Sequence, residues 1–445
     1  MAFEDLISEV ENRGRFQILQ MFSLVIPLIF MSSHFLLENF TAFVPNHRCR
    51  IPFLDNTSTL LNVSENLNFS SLLKLSIPLD SNGKLERCLR FSWPQWLPLS
   101  PNVTGQSQSL LETEPCVDGW VYDQSVITSS IVTEWDLVCD SQSLRSLSPS
   151  IFLSGILVGY LIWGYLTDRF GRKQMMPPSF IMVVVSSIGP AFTQTFPVYC
   201  CLRFLLGFSI SGAMFSSGTL VIEWTTIQHR PLMAVIIGLC SSAGHLLNGV
   251  LAYGIQEWRK FQLIVSAPFL TFFLTIWWLP ESARWLIVHK KYDDALRVLR
   301  KVAKLNGVKD LNLTIETLRS TAEEKLIASK AHYNMLDLFR FPVLKTRILC
   351  LSFEGSMSYG FILIIDRIGA ILAPLVNILK HYIPVLPQII FGIIAVTASL
   401  VIFFFLPETQ NQPMPDTIQD IQHGSSKGET RPRDKDDATV KISQF

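Results

Sequence analysis

The residues in this chain whose types could do chemistry are charges set inside or beside apolar runs. Asp168, Arg169, Arg172 and Lys173 fall within the ten positions 164–173, which also hold Gly164 and Gly171. Aspartate and arginine at this spacing form ion pairs and helix-terminus contacts, while the glycines allow close helix approach and a tight turn. Arg367 lies beside Asp366 in the middle of the apolar stretch 355–379. A cation at mid-membrane costs roughly 2.5–3.5 kcal/mol on insertion scales, so it normally faces a water-filled cavity or a partner. Asp366 is a poor partner, because adjacent helical residues point about 100° apart. Arg203 sits about a turn and a half inside another apolar run, where it either snorkels to the surface or holds helices together. Phe30, His34, Phe215, His245 and Asn248 also lie within such runs and are candidates to line a cavity.

Nothing in the sequence pairs a nucleophile with a base, spaces ligands for a metal, or cradles a phosphate on a glycine-rich loop. The reading is therefore of a protein that is not an enzyme and uses no cofactor or metal. His34 and His245 are isolated, and read as packed or lumen-facing polar residues. Cys200, Cys201 and Cys240 read as small packing residues. A net charge of +1 without a basic, aromatic-interleaved patch gives no footprint for nucleic acid.

The elements that position these residues are long apolar helices. Runs free of formal charge cover 16–37, 146–166, 174–202, 204–222, 231–255, 261–280 and 382–407. Each is near or beyond the ~20 residues a membrane helix needs. The 49% apolar composition is diluted by the polar segments between them. The expected organisation is a cytoplasmic N-terminus (1–15), a first span (16–37), a large extracellular loop (38–145) and spans two to six (146–286). A cytoplasmic helical loop (287–347), a short C-terminal set of spans (348–406) and a cytoplasmic tail (407–445) follow. Basic residues at 13, 15, 169, 172 and 173 place those ends inside. The outside turn carrying Glu257, Arg259 and Lys260 is a mild breach of the same rule.

The loop 38–145 carries sequons at Asn39, Asn56, Asn62, Asn68 and Asn102, of which Asn39 lies too near the first span for easy glycosylation. It also holds Cys49, Cys88, Cys116 and Cys139, an even number suited to an oxidising compartment, with three connectivities open. Within 287–347, helical spacing over 292–304 puts Leu296, Leu299 and Val302 on one face. That face packs beneath the bundle in the favoured reading, and on the inner leaflet in the alternative.

The stretch Gly164-Tyr165-Leu166-Thr167-Asp168-Arg169-Phe170-Gly171-Arg172-Lys173 resembles the loop between helices two and three of the major facilitator superfamily, G-x-L-x-D-R-x-G-R-R/K. Further pieces resemble the organic anion transporter branch of the organic ion transporters. They are Leu37-Glu38-Asn39-Phe40-Thr41-Ala42-Phe43, Glu114-Pro115-Cys116-Val117-Asp118-Gly119-Trp120-Val121-Tyr122, Thr133-Glu134-Trp135-Asp136-Leu137-Val138-Cys139 and Glu281-Ser282-Ala283-Arg284-Trp285-Leu286. The resemblance implies an all-α polytopic membrane protein of major facilitator fold. It implies secondary transport of amphipathic organic anions, such as steroid sulfates, by alternating access at the plasma membrane. Gly164, Asp168, Arg169, Gly171, Arg172, Arg203, Glu223, Glu281 and Arg284 would form its conformational motif, and Arg367 would contact the anion.

Leu-Pro-Glu-Ser at 279–282 answers Leu-Pro-Glu-Thr at 406–409, as two halves of a repeat. The family has six spans per half, whereas the second half here is short. Residues 348–353 resemble the start of a seventh span and 360–375 an eleventh. About 100 residues between them are missing relative to the family, as in a splice variant, so eight spans are expected with a complete first bundle and a truncated second. The partners implied are a small organic anion and the lipid bilayer. The alternative function is that of a transport-inactive chain that associates with full-length membrane transporters or is degraded.

Overall fold

A computed structural model describes residues 10, 14–55, 69–80, 83–92, 112–226, 229–308 and 313–319, together with 371–372, 376, 386, 389–390 and 392–393. The chain divides into two compact units, 1–330 with 363–387, and 331–362 with 388–445. The elements below belong to the first. Most of the seventh and eighth expected spans, with Arg367 and Asp366, and the sequons at Asn56, Asn62, Asn68 and Asn102 lie outside the described residues.

The bundle is built from α1 (Arg15–Thr41), α5 (Gln142–Phe170), α6 (Arg172–Ile188), α7 (Phe196–Trp224) and α8 (Arg230–Gly254). These elements account for the five helices long and apolar enough to cross a membrane among the described residues. The expected first span over 16–37 is one turn longer in the structure, which carries Glu38 into the bundle. The expected sixth span over 261–280 is instead two shorter helices, α9 (Trp258–Ser266) and α10 (Phe269–Thr275). The break falls at Ala267-Pro268, where proline has no N–H to continue the ladder.

Close crossings follow from small residues. A Cβ on Gly155 of α5 would overlap the Phe204 carbonyl of α7, and one on Gly207 of α7 would overlap the Phe152 carbonyl of α5. Two backbones can approach this closely only where both side chains are absent. Gly244 of α8 meets the Ile29 carbonyl of α1 in the same way. Between the crossings, Phe152, Ile156, Phe180, Leu206, Ile210 and Phe269 form a buried core.

That core continues into α12 (Tyr292–Asn306), whose Leu296, Leu299 and Val302 are buried while Arg297, Arg300, Lys301 and Lys304 are exposed. The helix therefore packs beneath the bundle. Asn306 fixes it there, accepting from the Phe16 N–H (2.8 Å) and donating to the Val10 carbonyl (2.7 Å) and Gln17 (3.2 Å). It so supplies the first turn of α1 with a cap that its own N-cap, Gly14, lacks.

At the opposite end, residues 42–55, 69–80, 83–92 and 112–138 form a small disulfide-linked layer that contains α2 (Pro52–Asp55), α3 (Phe69–Ser76) and α4 (Ile131–Glu134). Strand β1 (His47–Cys49) pairs antiparallel with β4 (Trp120–Tyr122), and β2 (Leu89–Phe91) with β3 (Thr113–Pro115). Of the three connectivities open, the structure has Cys49–Cys116 and Cys88–Cys139. Trp135 docks this layer on the bundle, with ring centroids 5.4 Å from Tyr199 and 5.7 Å from Trp258. Arg259 forms an ion pair with Glu134 and donates to the Ala191 carbonyl (2.6 Å), so the unexpected charge in that turn is neutralised.

Candidate functional site

The turn 164–173 gathers the largest set of predicted residues. Gly171 adopts φ +109°, a conformation that side chains disfavour, and ends α5 so that α6 can begin at once. The first N–H groups of α6 have no partner within their own helix. Glu281, which precedes the short helix α11 (Ala283–Val288), supplies one: its carboxylate accepts from the N–H of Arg172 (3.0 Å) and of Lys173 (3.1 Å). A carboxylate at a helix N-terminus also meets the positive end of the helix dipole. The Arg172 guanidinium bridges Asp168 (3.0 Å) and Glu223 at the end of α7 (3.1 Å). The Trp285 indole donates to the Asp168 carbonyl (2.7 Å). Spans two, three and four and the end of the sixth thus meet at one knot. A Cβ placed on Gly164 would meet the Phe215 ring at ordinary contact distance, 3.8 Å. Arg169 donates to the Tyr165 hydroxyl (3.0 Å) and is exposed, as is Arg284, whose charge acts on Glu223 without an ion pair among the described residues.

A second network lies at the end of the bundle nearer the disulfide-linked layer. Arg203 of α7 is 1% exposed and donates from Nε to Glu38 of α1 at 2.8 Å. The same Glu38 oxygen accepts from the hydroxyls of Ser148 and, at 3.4 Å, Tyr199. The guanidinium lies over the Phe152 ring, 4.6 Å from its centroid, adding a cation–π contact. Arg203 therefore does not snorkel to the surface. Glu38 was not expected here, since it is the first charge after the run 16–37 and reads as the start of a loop. The only signal was its position one turn beyond residue 34 on the same helical face.

The predicted lining residues divide into two groups. Phe30 packs on Phe272 (5.6 Å between centroids), and His34, fully buried, stacks on Phe269 (5.6 Å) with neither ring nitrogen hydrogen-bonded. Asn248 of α8 joins them by donating to the Ser33 carbonyl, its own oxygen left without a partner. Phe215 belongs elsewhere, against Tyr160 at 6.5 Å. His245 is half-buried and its Nδ1 has no partner. The chain returns to this bundle at Ile371, four residues after Arg367, where its carbonyl accepts from Ser150 of α5 (3.1 Å).

Outside the spans, Asp55 accepts from Arg48 at 2.6 and 2.9 Å and from the Ile51 N–H at 2.8 Å. Burial opposes its ionisation, but these donors together with the charge of Arg50 hold the carboxyl below its usual range. Tyr122, buried and bonded to Asp136 (2.8 Å), has its phenol pushed up. His47 lies beside Cys88 and Cys139 in the geometry of a metal cluster, but the two sulfurs are already joined to each other.

A short charged turn tying long apolar helices into one bundle defines a multi-pass helical membrane protein. The family model for "Sugar (and other) transporter" matches residues 100–353. Human "Solute carrier family 22 member 11" is 38% identical over an alignment of 535 positions, covering 96% of this chain and 97% of that protein. "Steroid transmembrane transporter SLC22A24" of Microcebus murinus is 37% identical over 555 positions, covering all of both chains. Among solved structures, the proton:xylose symporter XylE bound to 6-bromo-6-deoxy-D-glucose aligns with 14% identity and a TM-score of 0.41, over 82% of this chain and 69% of that one. The chain belongs to solute carrier family 22, a family of membrane transporters and not of enzymes. An alignment of 555 positions that takes in all of a 445-residue chain leaves about 110 positions of the relative without a counterpart here.

Proposed function

We propose that this chain has the architecture of a secondary transporter for amphipathic organic anions, shortened within its second bundle. The observation that carries this reading is the match, along the whole of both chains, to a relative named as a steroid transmembrane transporter. Steroid sulfates and similar conjugates are the substrate class. The site would lie at mid-membrane, with Arg367 as the anion contact and Phe30, His34 and Asn248 as lining residues; the contact of Ser150 with Ile371, four positions after Arg367, supports this reading. Movement would be alternating access, in which the knot around Arg172 forms and breaks. In this reading the chain sits in the plasma membrane with both termini cytoplasmic and carries glycans on Asn56, Asn62, Asn68 and Asn102.

A second reading has its own support. The family match ends at residue 353, where the sequence places the junction between remnants of the seventh and eleventh spans. Rocking about a central site needs two bundles with closed cavity walls, and a chain without those positions would occupy the membrane without transporting. It would then act as a partner of full-length transporters or be degraded. Uptake of a labelled steroid sulfate by cells expressing this chain, with surface expression followed in parallel, separates the two. We expect little uptake as it stands. Inserting roughly 100 family-like residues between Phe353 and Met357 should restore uptake that Arg367→Ala abolishes. Robust uptake by the unaltered chain, insensitive to Arg367→Ala, would overturn both the site and the truncation argument.

A further inference from the structure

A cavity of about 560 Å³ opens in the disulfide-linked layer, between the β1–β4 pair, the end of α2 and the start of α4. Its volume falls in the range of small-molecule sites. Charged groups reach it from three directions, and their engagement differs. Asp55 spends its oxygens on Arg48 and the Ile51 N–H. Glu134 spends its own on Arg259 and the Trp258 indole (2.8 Å). Arg50 is exposed, and its guanidinium has no carboxylate partner among the described residues. Its charge acts on Asp55 only at a distance. The backbone of Arg50 is held by a bond from its N–H to the Gly119 carbonyl (3.0 Å), which anchors the root of this side chain at the rim. Two aromatic residues, Trp120 and Tyr122, are among those that line it. The Tyr122 hydroxyl is engaged by Asp136, so what Tyr122 can offer a ligand is its ring.

An unpaired guanidinium beside two rings, with both neighbouring carboxylates neutralised, suits one class of ligand. We propose that this cavity captures a flat, ring-bearing organic anion. Arg50 holds the carboxylate or sulfate, and Trp120 and Tyr122 hold the apolar body. The site is separate from the one at mid-membrane and needs neither Arg367 nor the missing spans, so it stands whether or not the chain transports.

Pyrenesulfonate is a suitable probe, added to the full chain in nanodiscs, with quenching of tryptophan emission and direct equilibrium binding as readouts. Saturable binding is expected, with pyrenemethanol, the uncharged counterpart, binding at least tenfold more weakly. Arg50→Gln removes the cation without touching the backbone bond and should weaken pyrenesulfonate about tenfold. Arg50→Lys should retain most of the affinity and serves as the check that the layer still folds. Because Arg367→Gln removes the anion contact proposed at mid-membrane, the Arg50-dependent part of the binding should remain in that background. Equal binding of the uncharged probe, full affinity in Arg50→Gln, or no Arg50-dependent binding once Arg367 is replaced would overturn the proposal.

Discussion

At one end of the bundle Arg203 and Glu38 are 1% and 6% exposed, and their partners all come from spans one, two and four. At the other end Arg172 reaches both Asp168, 69% exposed, and the nearly buried Glu223, while Glu281 caps α6 from the far end of span six. Both ends use arginine and carboxylate, but water reaches only one of them. In a low dielectric, separating the Glu38–Arg203 pair strands two bare charges, so that end behaves as a permanent clasp. The knot around Arg172 combines helix-end contacts, a nearly buried pair with Glu223 and a pair with the solvent-facing Asp168, and the helix-end contacts and the last pair exchange for water at small cost. The comparison teaches where a transporter bundle can afford to move.

The largest break in that comparison should come from Arg203→Ala. It leaves Glu38 buried without its cation, at a cost of about 3–5 kcal/mol, and should appear as near-total loss of folded protein by size-exclusion yield. Glu38→Leu with Arg203→Met removes both charges together and should recover most of that yield. Failure of the double variant to do better than the single would show that the charges are not the issue.

Glu281→Ala should cost about 1–2 kcal/mol, read as a drop of a few degrees in thermal midpoint, because two N-terminal donors of α6 lose their acceptor. Glu281→Gln keeps an acceptor oxygen and should lose less than half as much. Asp168→Asn ranks lower still. With Asp168 mostly in water, its pair with Arg172 contributes no more than about 1 kcal/mol. Its effect should fall on the rate of conformational exchange, with affinity for an organic anion intact. Lost affinity at normal exchange and surface level would contradict this.

The smallest effect concerns the disulfide-linked layer. The Asp55 carboxyl sits below its unfolded-state value, so its contribution to stability is complete above about pH 4 and is lost as pH falls through the lowered value. Amide protection over 47–55 should weaken in that window, and Asp55→Asn should abolish the pH dependence. Unchanged protection down to pH 2 would count against the Arg48 pairing.

Much of this was legible in residue types. The turn 164–173 could be recognised because its glycines and charges have few other uses between two apolar runs. The apolar runs located five long helices, with bounds close for three of them; the turn between α6 and α7 was hidden because 174–202 is uncharged straight across it. What could not be read depends on contacts far apart in sequence. Glu38 finds Arg203 165 positions away, and Glu281 finds Lys173 108 positions away. A single sequence orders no such pairs, and a run that stops at its first charge hides Glu38 by construction. The break in span six was visible as Pro268, but 261–280 is long and apolar enough to read as one helix. Disulfide pairing was open for the same reason as the ion pairs. Among the predicted lining residues, Phe30, His34 and Asn248 came together while Phe215 did not, because helix rotation is set by packing and not by hydropathy alone.

Native-state amide exchange at the two ends tests the contrast most directly. The Arg172 and Lys173 amides donate to Glu281 and to nothing in their own helix, so their exchange reports that contact alone. In Glu281→Ala, those two amides should exchange at least tenfold faster, while amides over 38–41 and 199–203, around the Glu38–Arg203 clasp, keep their wild-type rates. Equal acceleration at both ends, or unchanged protection at 172 and 173, would contradict a bundle that is clasped at one end and releasable at the other.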